Sequence, residues 1–91
     1  MNTFVIKHAG VITYRLPFLD ALTELESFKS TAMAQQQIDA DTLTVSMGVN
    51  GSAEISLPSV NAEPDSKDWE DQWTNWENAF DQAILFVVSQ R

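Results

Sequence analysis

Thirteen carboxylates, one histidine and three tryptophans are the residues of this 91-residue chain with the most chemistry to offer. His8 could serve as a general base, but that role needs a poised nucleophile beside it, and the sequence has no nucleophile-elbow motif. It lies in the stretch His8-Ala9-Gly10 between two β-branched runs, so an exposed turn histidine is expected rather than a catalytic base. Paired carboxylates can act as acid and base. With this many acids in so short a chain, close pairs arise without any catalytic purpose. The lack of cysteine removes thiolate nucleophiles, thiolate metal sites and disulfides. Phosphate loops and glycine-rich dinucleotide fingerprints are missing as well. The expectation is a protein that is not an enzyme, with no catalytic residue, metal site or cofactor.

Asp39-Ala40-Asp41-Thr42 has the D-x-D-x-T spacing used by phosphotransferases that form an aspartyl phosphate. That motif requires a buried parallel strand leading into it, whereas the polar run Gln35-Gln36-Gln37-Ile38 comes first here. The stretch also lacks the central glycine and the terminal bidentate Glu of a calcium-binding loop. Acidic turn residues ahead of a strand are the simpler expectation.

The C-terminal stretch from Pro64 to Arg91 holds all three tryptophans and six acids. Turned at about 100° per residue, Trp69, Trp73, Trp76, Phe80, Ile84 and Val87 fall in one narrow arc, which predicts an amphipathic helix. Asp65 or Ser66 can cap it, and Asp68, Glu70 and Asp71 favour its positive end. The terminal run from Ile84 to Val88 is β-branched but stays in phase with the stripe, so it is expected to remain helical. Trp73, Trp76 and Phe80 are expected in the core. Trp69, at the helix start, is the candidate partner anchor, because tryptophan is enriched at interfaces. Glu70, Glu77 and Asp81 line one shoulder of the arc and form the candidate binding surface. Asp68 and Asp71 point elsewhere on the helix, and Glu63 and Asp65 precede it. From Asp68 to Asp81 the helix spans about 20 Å at ~1.5 Å per residue. Duplex DNA of that length carries about twelve phosphates, and one strand about six. Five carboxylates therefore approach the charge of a single strand, and a full mimic would recruit Glu63, Asp65, Asp39 or Asp41.

Two hairpins must position these groups. In residues 3–17 a three-residue loop, His8-Ala9-Gly10, would pair Ile6 with Ile12 and Phe4 with Tyr14, setting Phe4, Ile6, Ile12, Tyr14 and Leu16 on one face. A two-residue loop would mix the faces. The same logic for residues 43–58 favours Val49-Asn50-Gly51 as the loop, pairing Met47 with Ala53, Val45 with Ile55 and Leu43 with Leu57. Gly10 and Gly51 would take the left-handed position. An offset of 41 residues superposes one hairpin pattern on the other, with few identities. Pro17 opens a helix from Phe18 to about Gln36, with apolar residues at spacings of three and four. The predicted fold is α+β, ββαββα, a single domain over residues 1–91. A four-stranded antiparallel sheet carries both helices on one face.

The net charge of −8 rises along the chain: residues 1–36 are neutral, residues 37–62 carry −3 and residues 63–91 carry −5. Such a balance repels nucleic-acid backbones and anionic membranes. The first ten residues have no apolar run suited to a signal peptide, and the longest apolar run, Ala83–Val88, is too short to span a bilayer. A soluble cytoplasmic protein is expected. Small size, acidity and the lack of both cysteine and catalytic motifs make its composition resemble that of phage-encoded anti-defence proteins, including anti-CRISPR and anti-restriction inhibitors. No motif carries that resemblance, so it assigns no residue a role. It implies a non-enzymatic inhibitor or adaptor that binds a basic protein surface, one that otherwise holds nucleic acid. The alternatives are a self-associating structural module, homodimeric or larger, and a small immunity or antitoxin protein.

Overall fold

The computed structural model describes residues 3–8, 11–48 and 51–90, of residues 11–14 the backbone alone. Six elements follow in order: β1 (Thr3–His8), β2 (Val11–Pro17), α1 (Phe18–Met33), β3 (Asp41–Ser46), β4 (Ser52–Leu57) and α2 (Lys67–Ser89). The strands make one antiparallel sheet in the order β2-β1-β3-β4. Both helices cover the same face, giving the α+β arrangement that the alternating pattern predicts.

Side-chain alternation decides that face. Phe4 and Ile6 of β1, Leu43 and Val45 of β3, and Ile55 and Leu57 of β4 are buried. Their sequence neighbours Lys7, Thr42, Glu54 and Ser56 are exposed on the other side. The helices answer with Ala21 and Leu25 from α1, and with Trp73, Trp76, Phe80, Ala83 and Val87 from α2. Burying each of the larger side chains contributes about 1.5–3 kcal/mol. The core therefore rests on a few aromatic and aliphatic residues, as a short chain requires.

The first hairpin differs from the register expected for it. Lys7 faces Ile12 and His8 faces Val11, so the connection is Ala9-Gly10. Beyond a register shift between Val5 and Lys7, Val5 faces Arg15 and Phe4 faces Leu16. The two-residue loop that mixed the faces is thus present, and a bulge in β2 corrects the mismatch by placing one extra residue opposite Ile6. His8 ends a strand rather than occupying a turn, paired with Val11 on one side and Leu43 on the other. β1 is a central strand, so its register must satisfy β3 as well as β2. Gly10 and the side chains of Ile12 and Tyr14 lie outside the described residues.

In the second hairpin Val45 faces Ala53 and Leu43 faces Ile55, a slide of two residues from the expected pairing. A two-residue slide preserves parity, so each expected face holds. Five residues, 47–51, separate the strands instead of the expected three, with Met47 N–H donating to the Gly51 carbonyl at 2.9 Å. Gly48, at φ 57°, takes the left-handed position, and Gly51 adopts φ 137°. Asn50 lies outside the described residues.

α1 stops at Met33, short of Gln36. The chain leaves the helix so that Ile38 can pair with Val60, through two backbone hydrogen bonds of 3.0 and 2.9 Å. Asp41 and Thr42 belong to β3 rather than to a turn. α2 runs unbroken through Ile84–Val88 because Ala83 and Val87 continue the buried stripe. No helix is long and apolar enough to cross a membrane among the described residues.

Candidate functional site

The acids of α2 fall into two groups with different surroundings. Glu77 and Asp81 flank Lys29 of α1, whose Nζ lies 3.8 and 3.4 Å from their carboxylates. One lysine thus ties the two helices together and offsets part of the negative charge on that shoulder. Glu70, about two and three turns N-terminal to them, is exposed and has no ion pair among the described residues. Asp71 takes Lys67, one turn earlier, at 2.8 Å. Its hydrogen bond and its charge, in that order, hold the Lys67 ammonium above the ordinary lysine pKa. Asp68 is exposed in the first turn, where it complements the helix dipole.

Glu63 and Asp65 belong to the turn that starts α2. The Glu63 carbonyl accepts both the amide and the hydroxyl of Ser66, and the Ser66 hydroxyl accepts from the Trp69 amide at 3.2 Å. Asp65 adopts φ 68°, a left-handed conformation that short polar side chains tolerate best after glycine. Of the two candidate caps, Ser66 is the one that acts. The carboxylates of Glu63, Asp65, Asp68 and Glu70 therefore cluster around the beginning of the helix, while Glu77 and Asp81 sit farther along beside Lys29.

Trp69 is half-buried, and its indole N–H donates to the carbonyl of Gln36, just beyond α1. Its ring stands edge-on to Trp73 at 6.4 Å. The side chain is thus part of the contact between α2 and the α1–β3 connection, with a fraction of its surface left to solvent. Trp73, Trp76 and Phe80 are buried, as the periodicity predicts. The rings continue in series: Trp73 on Trp76 at 5.5 Å, Trp76 stacked on Phe80 at 5.1 Å, Phe80 stacked on Phe28 at 5.6 Å, and Phe28 against the His8 imidazole at 4.4 Å.

His8 marks the second site. Its Nε2 meets Asp41 Oδ2, while Asp41 Oδ1 accepts from the Thr42 amide at 2.7 Å. The two residues that drew attention separately, the histidine and the second aspartate of the D-x-D-x-T stretch, are brought together because β1 and β3 pair at the sheet centre. They border a cavity of about 510 Å³ between the end of α1, the 34–40 connection and the ends of β1, β3 and β4. Ala32, Leu57, Val60 and Trp76 form its buried floor, with Asp39, Gln37 and Asn61 on its rim. Gln37 Nε2 donates to the carbonyls of Asn61 and Ala62, and Gln72 Oε1 accepts from the amides of both. Two connections that could have collapsed inward are thereby held in place.

Sequence reasoning missed Lys29, Gln37, Gln72 and the His8–Asp41 pair. Lys29 was visible only as a base within a helix, since the identity of its partners depends on how α1 and α2 pack. The pair depends on which strands adjoin, and the offset between hairpins was the one hint of it. An offset of 41 residues makes Val5 and Ser46 equivalent, and these two residues face each other in the β1–β3 ladder. Among the described residues, no group of three or more His, Asp or Glu is arranged to hold a metal ion. No family model matches this chain, and neither does any curated protein or solved structure.

Proposed function

We propose that this chain is a non-enzymatic inhibitor or adaptor whose acidic helical layer binds a basic protein surface, of the kind that otherwise holds nucleic acid. The supporting observation is the segregation of charge between the two faces. Asp20, Glu24 and Glu26 on α1 and five acids on α2 oppose only Lys29 and Lys67. The outer face of the sheet carries Lys7 and Arg15 against Glu54. A one-signed face raises the local concentration of oppositely charged partners and speeds their encounter. The same face repels phosphates, so the partner is a protein rather than a nucleic acid. The test is capture on the immobilised chain at low and high salt, with wild type, Glu70→Gln/Glu77→Gln/Asp81→Gln, and the charge-matched control Asp20→Asn/Glu24→Gln/Glu26→Gln. The expected result is salt-sensitive capture lost in the α2 triple variant and weakened less in the α1 control. Capture indifferent to salt, or equal in all three proteins, rules the reading out.

One observation favours the alternative, self-association. β4 is an edge strand, and an unpaired edge is a template for another strand. Beside it a shallow groove of about 640 Å³ runs along the C-terminal half of α2, bordered by Leu85, which is 59 % exposed, and by Phe86. Sedimentation at micromolar concentration separates the readings. A stable homo-oligomer that Leu85→Glu dissociates would support the assembly module instead.

A further inference from the structure

The cavity beside His8 and Asp41 combines an apolar floor with an acidic rim. Its floor includes Leu57, Val60 and Trp76, all nearly or fully buried, and the ring of Phe28 forms part of one wall. Asp39 stands at the mouth, exposed, with no ion pair among the described residues. Asp41 holds its carboxylate beside it through the Thr42 amide and His8. No lysine or arginine lines the cavity among the described residues. Its volume, about 510 Å³, is in the range of sites that enclose a small ligand or an extended side chain.

Both Asp41 oxygens are engaged, so Asp39 is the uncommitted carboxylate at the mouth, and it favours an occupant with a cationic end on a body that can lie against aromatic and aliphatic surface. Guanidinium meets both demands. It is planar, less strongly hydrated than ammonium, and can bond carboxylates while its plane rests on a ring. The side-chain carbonyl oxygen of Gln37 adds a neutral acceptor near the rim, whereas that of Asn61 already accepts from Gln72 Nε2 at 3.0 Å. The pinning of Gln37 and of the Ile38–Val60 bridge keeps the walls apart before anything enters, so little ordering is needed on binding.

We infer that this cavity receives one arginine side chain of the basic partner. The inference rests on the reading of the chain as an acidic protein-binding module, and it adds an anchoring pocket away from the α2 carboxylates. The probe is Nα-acetyl-arginine amide, titrated into the isotope-labelled full chain and followed by amide and indole resonances. Resonances of Asp39, Asn61 and Trp76 should shift together and saturate, while the uncharged citrulline analogue should bind about tenfold more weakly, as expected for a lost charge-assisted contact. Asp39→Asn should weaken the arginine probe about threefold to fivefold, the scale of one exposed ion pair. Ala40→Trp, which narrows the mouth and leaves the charge unchanged, should abolish saturation. No saturable response, equal binding of the citrulline analogue, or shifts centred on Asp68 and Glu70 would overturn the pocket. Each of these leaves the α2 face to be judged by its own triple variant. Conversely, loss of salt-sensitive capture with intact probe binding would remove the partner reading alone.

Discussion

At the scale of single residues, Trp69 and Phe80 carry different kinds of stability although both belong to one aromatic stripe. Phe80 is fully buried, with the rings of Phe28 and Trp76 both stacked with it. Phe80→Ala should cost about 3–5 kcal/mol, the range for aromatic truncations in a core. Trp69→Phe keeps most of the apolar contact and loses the indole donor to Gln36, so it should cost about 1 kcal/mol. Urea unfolding of the two variants measures the contrast. A cost for Trp69→Phe as large as that of Phe80→Ala would mean that the indole is a core residue in energy as well as in sequence. Lys29 illustrates a different balance. It is three-quarters buried and meets two carboxylates, yet each ion pair is open to solvent on its acidic side. Lys29→Met should therefore change stability by less than about 1 kcal/mol, the usual scale of solvent-screened pairs, while making the α2 shoulder more negative.

At the scale of elements, the start of α2 is set by one hydroxyl and its position by one amide. Ser66→Ala should cost about 1 kcal/mol through loss of the cap. Gln72→Ala should speed hydrogen exchange at the Asn61 and Ala62 amides, whose acceptor it removes, and leave the middle of α2 protected. The same elements explain what the sequence could disclose. Periodicities of two and of about 3.6 residues are local, so the inward faces of β3 and β4, the buried stripe of α2 and the helical state of Ile84–Val88 were all legible. Register was less so. For β1 the rule of matched faces favoured a three-residue loop, but the chain meets that rule with a bulge, a remedy invisible to a fixed-register comparison. For β4 a slide of two residues left each face unchanged, so hydrophobicity could not distinguish the alternatives. The end of α1 was set by Ile38 finding Val60, a contact across 22 positions of sequence. The candidate site divides the same way. The carboxylates of α2 were legible from helical phase, whereas their neutralisation by Lys29 and the meeting of His8 with Asp41 required knowing which elements adjoin.

At the scale of the whole molecule, the acids concentrate on one side and repel one another. With a formal charge of −8 there is little to offset that repulsion. Added salt should therefore raise the urea midpoint between about 10 mM and about 150 mM, as the screening length falls from about 30 Å to about 8 Å. Neutralising the α2 shoulder with Gln should flatten that rise, and an unchanged salt dependence would assign the repulsion to other acids. The ring series crosses the molecule in another sense. The three indoles form a contiguous edge-on series, with centroids 5.5 and 6.4 Å apart. Through Phe80 and Phe28 that set adjoins the imidazole at the cavity wall. A series of ring contacts thus runs from the cap of the last helix to the wall of the pocket, and the near-ultraviolet dichroism of its tryptophans is a signature of the packed fold.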